Sequence, residues 1–326
     1  MCTAVTFQTK DFYFGRNLDL EYSYREAVTV TPRNFPFQFR NGNSLDSHFA
    51  IIGMATVSDG YPLYYEATNE KGLSLAGLNF PGNAVYYPEA AGKDNIAPFE
   101  LIPWILGQCA NVVEAMEKIQ TLNLWNHPFS EAFPLSPLHW LLSDRETSLT
   151  LEPLADGLKI HSNPVGILTN NPPFDFHMYN LAQYMNLTAL PPENHFSKRL
   201  DLKPFSLGMG SIGLPGDMSS PSRFVKAAFT KWNSRCGSSE SESISQFFHI
   251  LSGAAQPRGL TCVRGEEYEF TMYSSCCNTD KGIYYYTTYE NSQITAVDMH
   301  REDLDGTELI SYPLITGQQI CYQNCL

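Results

Sequence analysis

Six short segments in the opening quarter of the chain, residues 2–8, 12–18, 27–31, 49–57, 62–67 and 73–79, read as β-strands. The first five are rich in β-branched or aromatic residues, 73–79 alternates Leu with small residues, and turn formers such as Thr9-Lys10-Asp11 and Asn69-Glu70-Lys71-Gly72 separate neighbours. Strand signals resume at 138–142, 148–152, 158–161 and 166–169. A late hairpin spans 268–274 and 283–289 around Asn278-Thr279-Asp280-Lys281-Gly282. Helices cluster between these runs. Asn111 is an N-cap with Glu114 three residues on. Ser220 and Pro221 predict a second helix start, with Phe224, Val225, Ala228, Phe229 and Trp232 as its buried stripe. Ile244, Phe247, Phe248 and Leu251 share a face of a third, stopped at Gly253. Runs of strands with clustered helices, without strict βα alternation, predict an α+β protein with antiparallel sheets under helix layers.

The chain has 326 residues, 43% of them hydrophobic, so it can bury a core without disulfides or metals. Its formal charge of −13 opposes binding to phosphate backbones, so no nucleic-acid partner is expected. Apolar runs are too short for a membrane helix, and the start has no basic region before an apolar stretch. Eight cysteines, at 2, 109, 236, 262, 276, 277, 321 and 325, show no disulfide framework, and a reduced cytoplasmic protein is expected. No cofactor is expected either. Gly208-Met209-Gly210-Ser211-Ile212-Gly213 matches a dinucleotide fingerprint by letters, but Leu214-Pro215-Gly216-Asp217 breaks the helix it would open. Histidines and cysteines lack metal-ligand spacing, and no Gly-x-Ser-x-Gly elbow occurs.

The amino terminus carries the chemistry. Methionine before a small residue such as Cys2 is a good substrate for initiator-methionine removal, which would leave a thiol and a free α-amine on one carbon. An α-amino group titrates near ~7.7–8.0 and a thiol near ~8.5, so proton transfer between them costs only about 1 kcal/mol. That is the requirement for a nucleophile that supplies its own general base. A tight turn at Thr9-Lys10 would set Cys2 opposite Asn17, and a turn one residue longer or shorter opposite Leu18 or Arg16. In every register Arg16 and Asp19 lie roughly 5–8 Å across the ladder. There a guanidinium would hold the thiolate and a carboxylate could orient the α-amine. The plainer reading of the two is a surface ion pair.

Met-Cys-Thr, Gly15-Arg16-Asn17-Leu18-Asp19, Asn69-Glu70-Lys71-Gly72-Leu73 and Gly77-Leu78-Asn79-Phe80-Pro81 resemble motifs of the choloylglycine hydrolases, among the N-terminal nucleophile hydrolases. The resemblance continues in order through Leu168-Thr169-Asn170-Asn171-Pro172, Gly213-Leu214-Pro215-Gly216-Asp217, Ser222-Arg223-Phe224, Gly282-Ile283-Tyr284-Tyr285-Tyr286 and Thr288-Tyr289-Glu290-Asn291. It implies an αββα sandwich of two antiparallel sheets between helix layers, as one catalytic domain over 2–326. It also implies hydrolysis of a linear amide. Asn79, where penicillin V acylases carry Tyr, makes the chain look more like the bile salt hydrolases. The implied substrates are glycine- or taurine-conjugated bile salts, and the implied assembly is a homotetramer. Carried over by position, Cys2 is the nucleophile, with Arg16 and Asp19 beside it. Asn79 and Asn170 resemble oxyanion- and amine-binding residues, and Arg223 completes the set.

Several readings of the residues accompany that resemblance. Arg223 falls in the first turn of a helix, an awkward place for a cation, and is expected to point into an active site. Aromatic-rich segments 22–24, 61–65 and 129–135 are expected to line a steroid pocket. Rival functions are those of a related acylase, hydrolysing penicillin V or acyl-homoserine lactones, and non-catalytic binding of amphipathic lipids. If Cys2 is the nucleophile, the intact mass of active protein lacks Met1; full activity with Met1 retained would remove the amine base from the mechanism.

Overall fold

The computed structural model describes residues 1–325. Leu326, the end of the expected domain, and the side chain of Cys325 lie outside the described residues. The first strand, Cys2–Gln8, turns through residues 9–11 and returns as Phe12–Leu20. The turn is one residue longer than the tightest option, so Cys2 pairs with Leu18, Thr3 with Asn17 and Ala4 with Arg16. This pair lies within a seven-stranded sheet. Ile167–Leu168 lies beside the first strand, and Glu267–Asn278, Ile283–Thr288 and Asn291–Asp298 continue outward from the second. Thr261–Arg264 pairs with the long Glu267–Asn278 strand. Gly15 has a steric reason: a Cβ there would lie 2.0 Å from the backbone oxygen of Ser275 on that strand.

The second sheet has eight strands, ordered Gly157–Ser162, Ser148–Leu154, Leu138–Ser143, Ser74–Asn79, Tyr61–Asn69, Ile51–Ser58, Ala27–Thr31 and Ile310–Pro313. Every pairing in both sheets is antiparallel. Period-two alternation divides its residues between two layers. Val28, Ile52, Met54, Ala76, Leu78 and Leu141 join the first sheet's core, whereas Ile51, Ala55, Leu75, Trp140 and Leu142 face the other way.

Helices close both outer faces. Ser220–Asn233 and Glu240–Ser252 contribute Phe224, Ala227, Phe247 and Leu251 to the core that contains the first strand. Leu101–Leu106 and Val112–Ile119 pack on the outward face of the eight-stranded sheet. The result is the expected αββα sandwich. The Asn111 cap is present, its side chain accepting the Glu114 N–H at 3.0 Å. The cap of the Ser220–Asn233 helix is instead Ser219, one residue earlier than predicted. That leaves Ser220 free to accept the Asn170 N–H at 2.8 Å and to donate to Thr169 Oγ1 at 2.9 Å. The predicted stripe holds for Phe224, Val225 and Ala228, but Trp232 is 65% exposed in the last turn, with the Lys231 ammonium 5.5 Å from its ring. Two helices had no sequence signal. Leu101–Leu106 is buried at every position, so it has no polar face to reveal its period, and Phe174–Ala182 follows directly on two prolines. The glycine motif at 208–213 holds only a 3₁₀ turn, Met209–Ser211. No helix among the described residues is long and apolar enough to cross a membrane.

Candidate active site

A cavity of ≈ 460 Å³ opens over the start of the first strand. Four of the six residues singled out in the sequence, Cys2, Arg16, Asp19 and Asn79, line it together. Antiparallel pairing explains the first two, since Cys2 and Ala4 lie opposite Leu18 and Arg16 and therefore share a face. Asn79 ends the Ser74–Asn79 strand of the facing sheet, and its exposed side chain has no partner among the described residues. The rest of the wall is largely apolar, with Leu18, Leu63, Phe99, Ile102, Phe129 and Leu138 among its residues. Of the expected aromatic segments, Tyr24, Tyr64, Tyr65, Phe129 and Phe133 line the cavity. Tyr22 and Tyr61 do not: Tyr22 is exposed beside the Tyr24 ring, and Tyr61 is turned among Phe37, Phe99 and Phe129.

Arg16 and Asp19 are not a surface ion pair. Both are fully buried, and the carboxylate within 4 Å of Arg16 is that of Glu66, 3.8 Å from Nε. Arg16 Nη1 donates to the carbonyls of Gly77 at 2.6 Å and Tyr65 at 3.2 Å. Its Nη2 is buried without a partner. Burial opposes the Arg16 charge, but the surrounding Cys2, Tyr273, Glu66 and Asp19 outweigh that effect and hold it protonated. Asp19 accepts the Thr271 hydroxyl on Oδ1 at 2.7 Å, and its Oδ2 is buried with no partner. Burial pushes the Asp19 carboxyl above its ordinary range, against the pull of Arg223 and of the N-terminal ammonium. That ammonium, on Met1, donates to the Asp19 carbonyl at 2.9 Å and pairs with Glu269 at 2.6 Å.

Asn170 and Arg223 do not line the cavity; they contact the backbone of Cys2 instead. The Cys2 N–H donates to Asn170 Oδ1 at 2.9 Å, and Arg223 Nη2 donates to the same oxygen at 2.7 Å. Arg223 Nη1 donates to the Cys2 carbonyl and to Thr3 Oγ1 at 2.7 Å, and Nε to the Met218 carbonyl at 3.0 Å. Asn170 Nδ2 in turn donates to the Asn79 carbonyl at 2.7 Å, linking the two sheets beside the nucleophile candidate. The awkward helix position of Arg223 is resolved by its acceptors: Asn170 Oδ1 and three backbone or hydroxyl oxygens surround a fully buried guanidinium.

Sequence reasoning passed over the groups that hold Asn170. His177 Nε2 donates to the Asn170 carbonyl at 2.9 Å, its ring stacks on Phe224 with centroids 4.8 Å apart, and its Nδ1 has no partner. His139 Nε2 lies 3.1 Å from the Thr169 carbonyl and its Nδ1 3.1 Å from Glu152. Glu152 also accepts the N–H of Phe174, the first residue of the helix that carries His177. A lone histidine with no spacing partner carries no such signal. Glu66 did leave a trace, as a carboxylate in the middle of a strand otherwise rich in apolar and aromatic residues.

A buried thiol on the wall of a largely apolar cavity, in company with a buried guanidinium, a carboxylate and a carboxamide, is suited to acyl transfer through a covalent intermediate. The profile of the linear amide C-N hydrolases, choloylglycine hydrolase family, matches residues 2–312, and the chain belongs to that family. It is 57% identical over 319 residues to the bile salt hydrolase/transferase of Lactiplantibacillus plantarum, covering 98% of each chain. It is 39% identical to the bile salt hydrolase/transferase of Clostridium perfringens, over 96% of each chain. A crystal structure of a variant conjugated bile acid hydrolase from Clostridium perfringens superposes with a TM-score of 0.91 at 38% identity, covering 99% of this chain and 100% of that one. Penicillin V acylase from Agrobacterium tumefaciens shares the fold, with a TM-score of 0.74 at 19% identity over 95% and 90% of the two chains.

His177 makes the site's support sensitive to acid. Burial pushes its pKa down from 6.5 to about 4, so the neutral ring is the folded form. The unfolded chain therefore binds the extra proton first. His177 contributes stability that is fully present above pH 6.5 and is lost as pH falls toward 4. The loss is on the order of 3 kcal/mol. Urea unfolding at pH 7.5 and 4.5 should show a steeper drop for wild type than for His177→Gln, which keeps an N–H donor; parallel drops would mean the ring does not titrate across that window.

Proposed function

We propose that this chain hydrolyses the amide bond of glycine- or taurine-conjugated bile salts, as one catalytic domain over residues 2–326, with Cys2 as nucleophile once Met1 is removed. One observation carries the reading: Cys2 shares with Arg16, Asp19 and Asn79 a cavity whose remaining wall is mostly apolar. A rigid steroid acyl group asks for such a wall, while the scissile amide asks for the polar end. The similarity to bile salt hydrolases along nearly the whole chain supports the same substrate class.

In the proposed reaction the Cys2 sulfur attacks the amide carbon as the α-amine takes the thiol proton. Collapse of the tetrahedral intermediate breaks the C–N bond, and the amine passes that proton to the leaving nitrogen, releasing glycine or taurine. Water, deprotonated by the same amine, then cleaves the thioester, releasing the free bile acid and restoring the thiol. The Asn79 carboxamide meets the oxyanion. Arg16 holds the thiolate through the Nη2 that has no protein partner, and the unpartnered Asp19 Oδ2 takes the α-amine as a hydrogen-bond donor. Asn170 and Arg223 fix the Cys2 backbone, so that amine and thiol keep their relative geometry.

Glycocholate, taurocholate and penicillin V assayed side by side decide the matter. Release of glycine or taurine is expected, with Cys2→Ser slower by about 100-fold or more because a hydroxyl is a far weaker nucleophile. Faster turnover of penicillin V would move the chain to the acylases, and binding of bile salt without turnover would leave an amphipathic-lipid binder.

The finer readings of assembly and setting belong to the same proposal: a homotetramer in the reducing cytoplasm. The exposed side chains of Met185, Leu190, Phe196, Phe205 and Leu207 fall within one stretch of the chain and support burial against copies of itself. Sedimentation velocity is expected to give a tetramer that Phe196→Glu with Leu207→Glu shifts to smaller species; a wild-type monomer would refute the assembly.

A further inference from the structure

Glu66 stands in the Tyr61–Asn69 strand, paired with Met54 on one side and Ala76 on the other, both members of the apolar layer between the sheets. It is 1% exposed, yet its carboxylate is ringed by donors. The Tyr273 hydroxyl reaches Oε2 at 2.8 Å, the Ser275 hydroxyl reaches Oε1 at 2.9 Å, and the Tyr284 hydroxyl also donates to Oε1. Oε2 lies 3.8 Å from Arg16 Nε. Glu66 does not line the cavity, whereas Arg16 does. Three hydroxyls from two strands of one sheet thus hold a carboxylate of the other sheet against a cation that touches the cavity.

A buried guanidinium needs a counter-charge, and the Asp19 carboxylate makes no ion pair with it within 4 Å among the described residues. We propose that Glu66 is a positioning residue for Cys2 chemistry: anchored by Tyr273, Ser275 and Tyr284, it fixes the Arg16 guanidinium at the end of the cavity and offsets part of its charge. It thereby sets how strongly Arg16 favours the Cys2 thiolate. This rests on the reading of Cys2 as nucleophile. The other titratable groups facing Glu66 are Tyr273 and Cys277 of the Glu267–Asn278 strand and Tyr284 of the Ile283–Thr288 strand. Burial pushes the ionisation of all three upward and raises the Glu66 carboxyl as well, but Arg16 and the Tyr284, Tyr273 and Ser275 hydroxyls pull against it and favour Glu66 as the anion of the cluster.

The two charges should then act on Cys2 with opposite sign. Arg16→Leu leaves the Glu66 anion alone near the thiol, and labelling of Cys2 by iodoacetamide moves to higher pH. Glu66→Gln leaves the Arg16 cation uncompensated, and labelling moves to lower pH, by about one pH unit. At a pH where the thiol is fully ionised in both proteins, turnover on the conjugate falls about threefold in kcat with KM little changed, because the thiolate is less nucleophilic and Glu66 does not touch the cavity. Labelling is read by mass at Cys2 without substrate, so its result stands apart from the identity of the substrate. A folded Glu66→Gln protein whose labelling profile is unmoved, or moves upward, overturns the proposal. Should Glu66→Gln alone not fold, Arg16→Leu is compared with Arg16→Leu/Glu66→Gln, which removes both charges. The added substitution should bring labelling back to lower pH, and identical profiles overturn the proposal equally.

Discussion

The register between the first two strands is the constraint on which the site depends. Side chains alternate across a strand, so pairing Cys2 with Leu18 puts Cys2, Leu18 and Arg16 on one face, and Thr3 and Asn17 on the other. The first face looks toward the second sheet and forms the end of the cavity. The second meets the helix layer, where Asn17 donates to the Leu251 carbonyl and Thr3 accepts from Arg223. A slip of one residue would turn Arg16 away from the cavity. Gly15 helps to hold the register, because any side chain there would collide with the adjacent strand at Ser275.

Around that strand pair the fold concentrates charge where a protein ordinarily excludes it. Arg16, Asp19, Glu66 and Arg223 are all at most 1% exposed. Charges in such a setting are tolerated only when their partners are placed in advance. Arg16 has the carbonyls of Asn17, Tyr65 and Gly77 together with Glu66, and Arg223 has carbonyls, a hydroxyl and Asn170. The two polar atoms left over, Arg16 Nη2 and Asp19 Oδ2, belong to residues that line the cavity beside Cys2. An apolar cavity with preplaced polar groups at one end separates binding from chemistry: the wall takes up hydrophobic surface, and the buried dipoles and charges act on the bond that reacts.

Support for the site arrives from both layers of the sandwich. Ser220 holds the Asn170 N–H, His177 its carbonyl, and Asn170 itself spans from the Cys2 N–H to the Asn79 carbonyl on the facing sheet. All but the His177 contact join segments far apart in the chain, so the position of Cys2 is only as firm as the packing of the whole molecule.

Much of this was legible in the amino-acid order. Alternating apolar residues and turn formers place most strands to within a few residues, because strand formation follows local pattern. The Asn111 cap is likewise a matter of neighbours three residues apart. The motif resemblance named Cys2, Arg16, Asp19 and Asn79, and these four do share one cavity. The order of the strands and the meeting of distant groups were decided by tertiary structure. Asn170 and Arg223 were recognisable as residues but not as clamps on the backbone of Cys2, since that depends on a helix packing under the first strand. His177 carries no local signature of its work, and Glu66 shows only as a carboxylate in an otherwise apolar and aromatic strand. A carboxylate in a strand and a lone histidine in a helix acquire partners only when two sheets and a helix layer close over them, where loss of water makes each remaining hydrogen bond and charge matter.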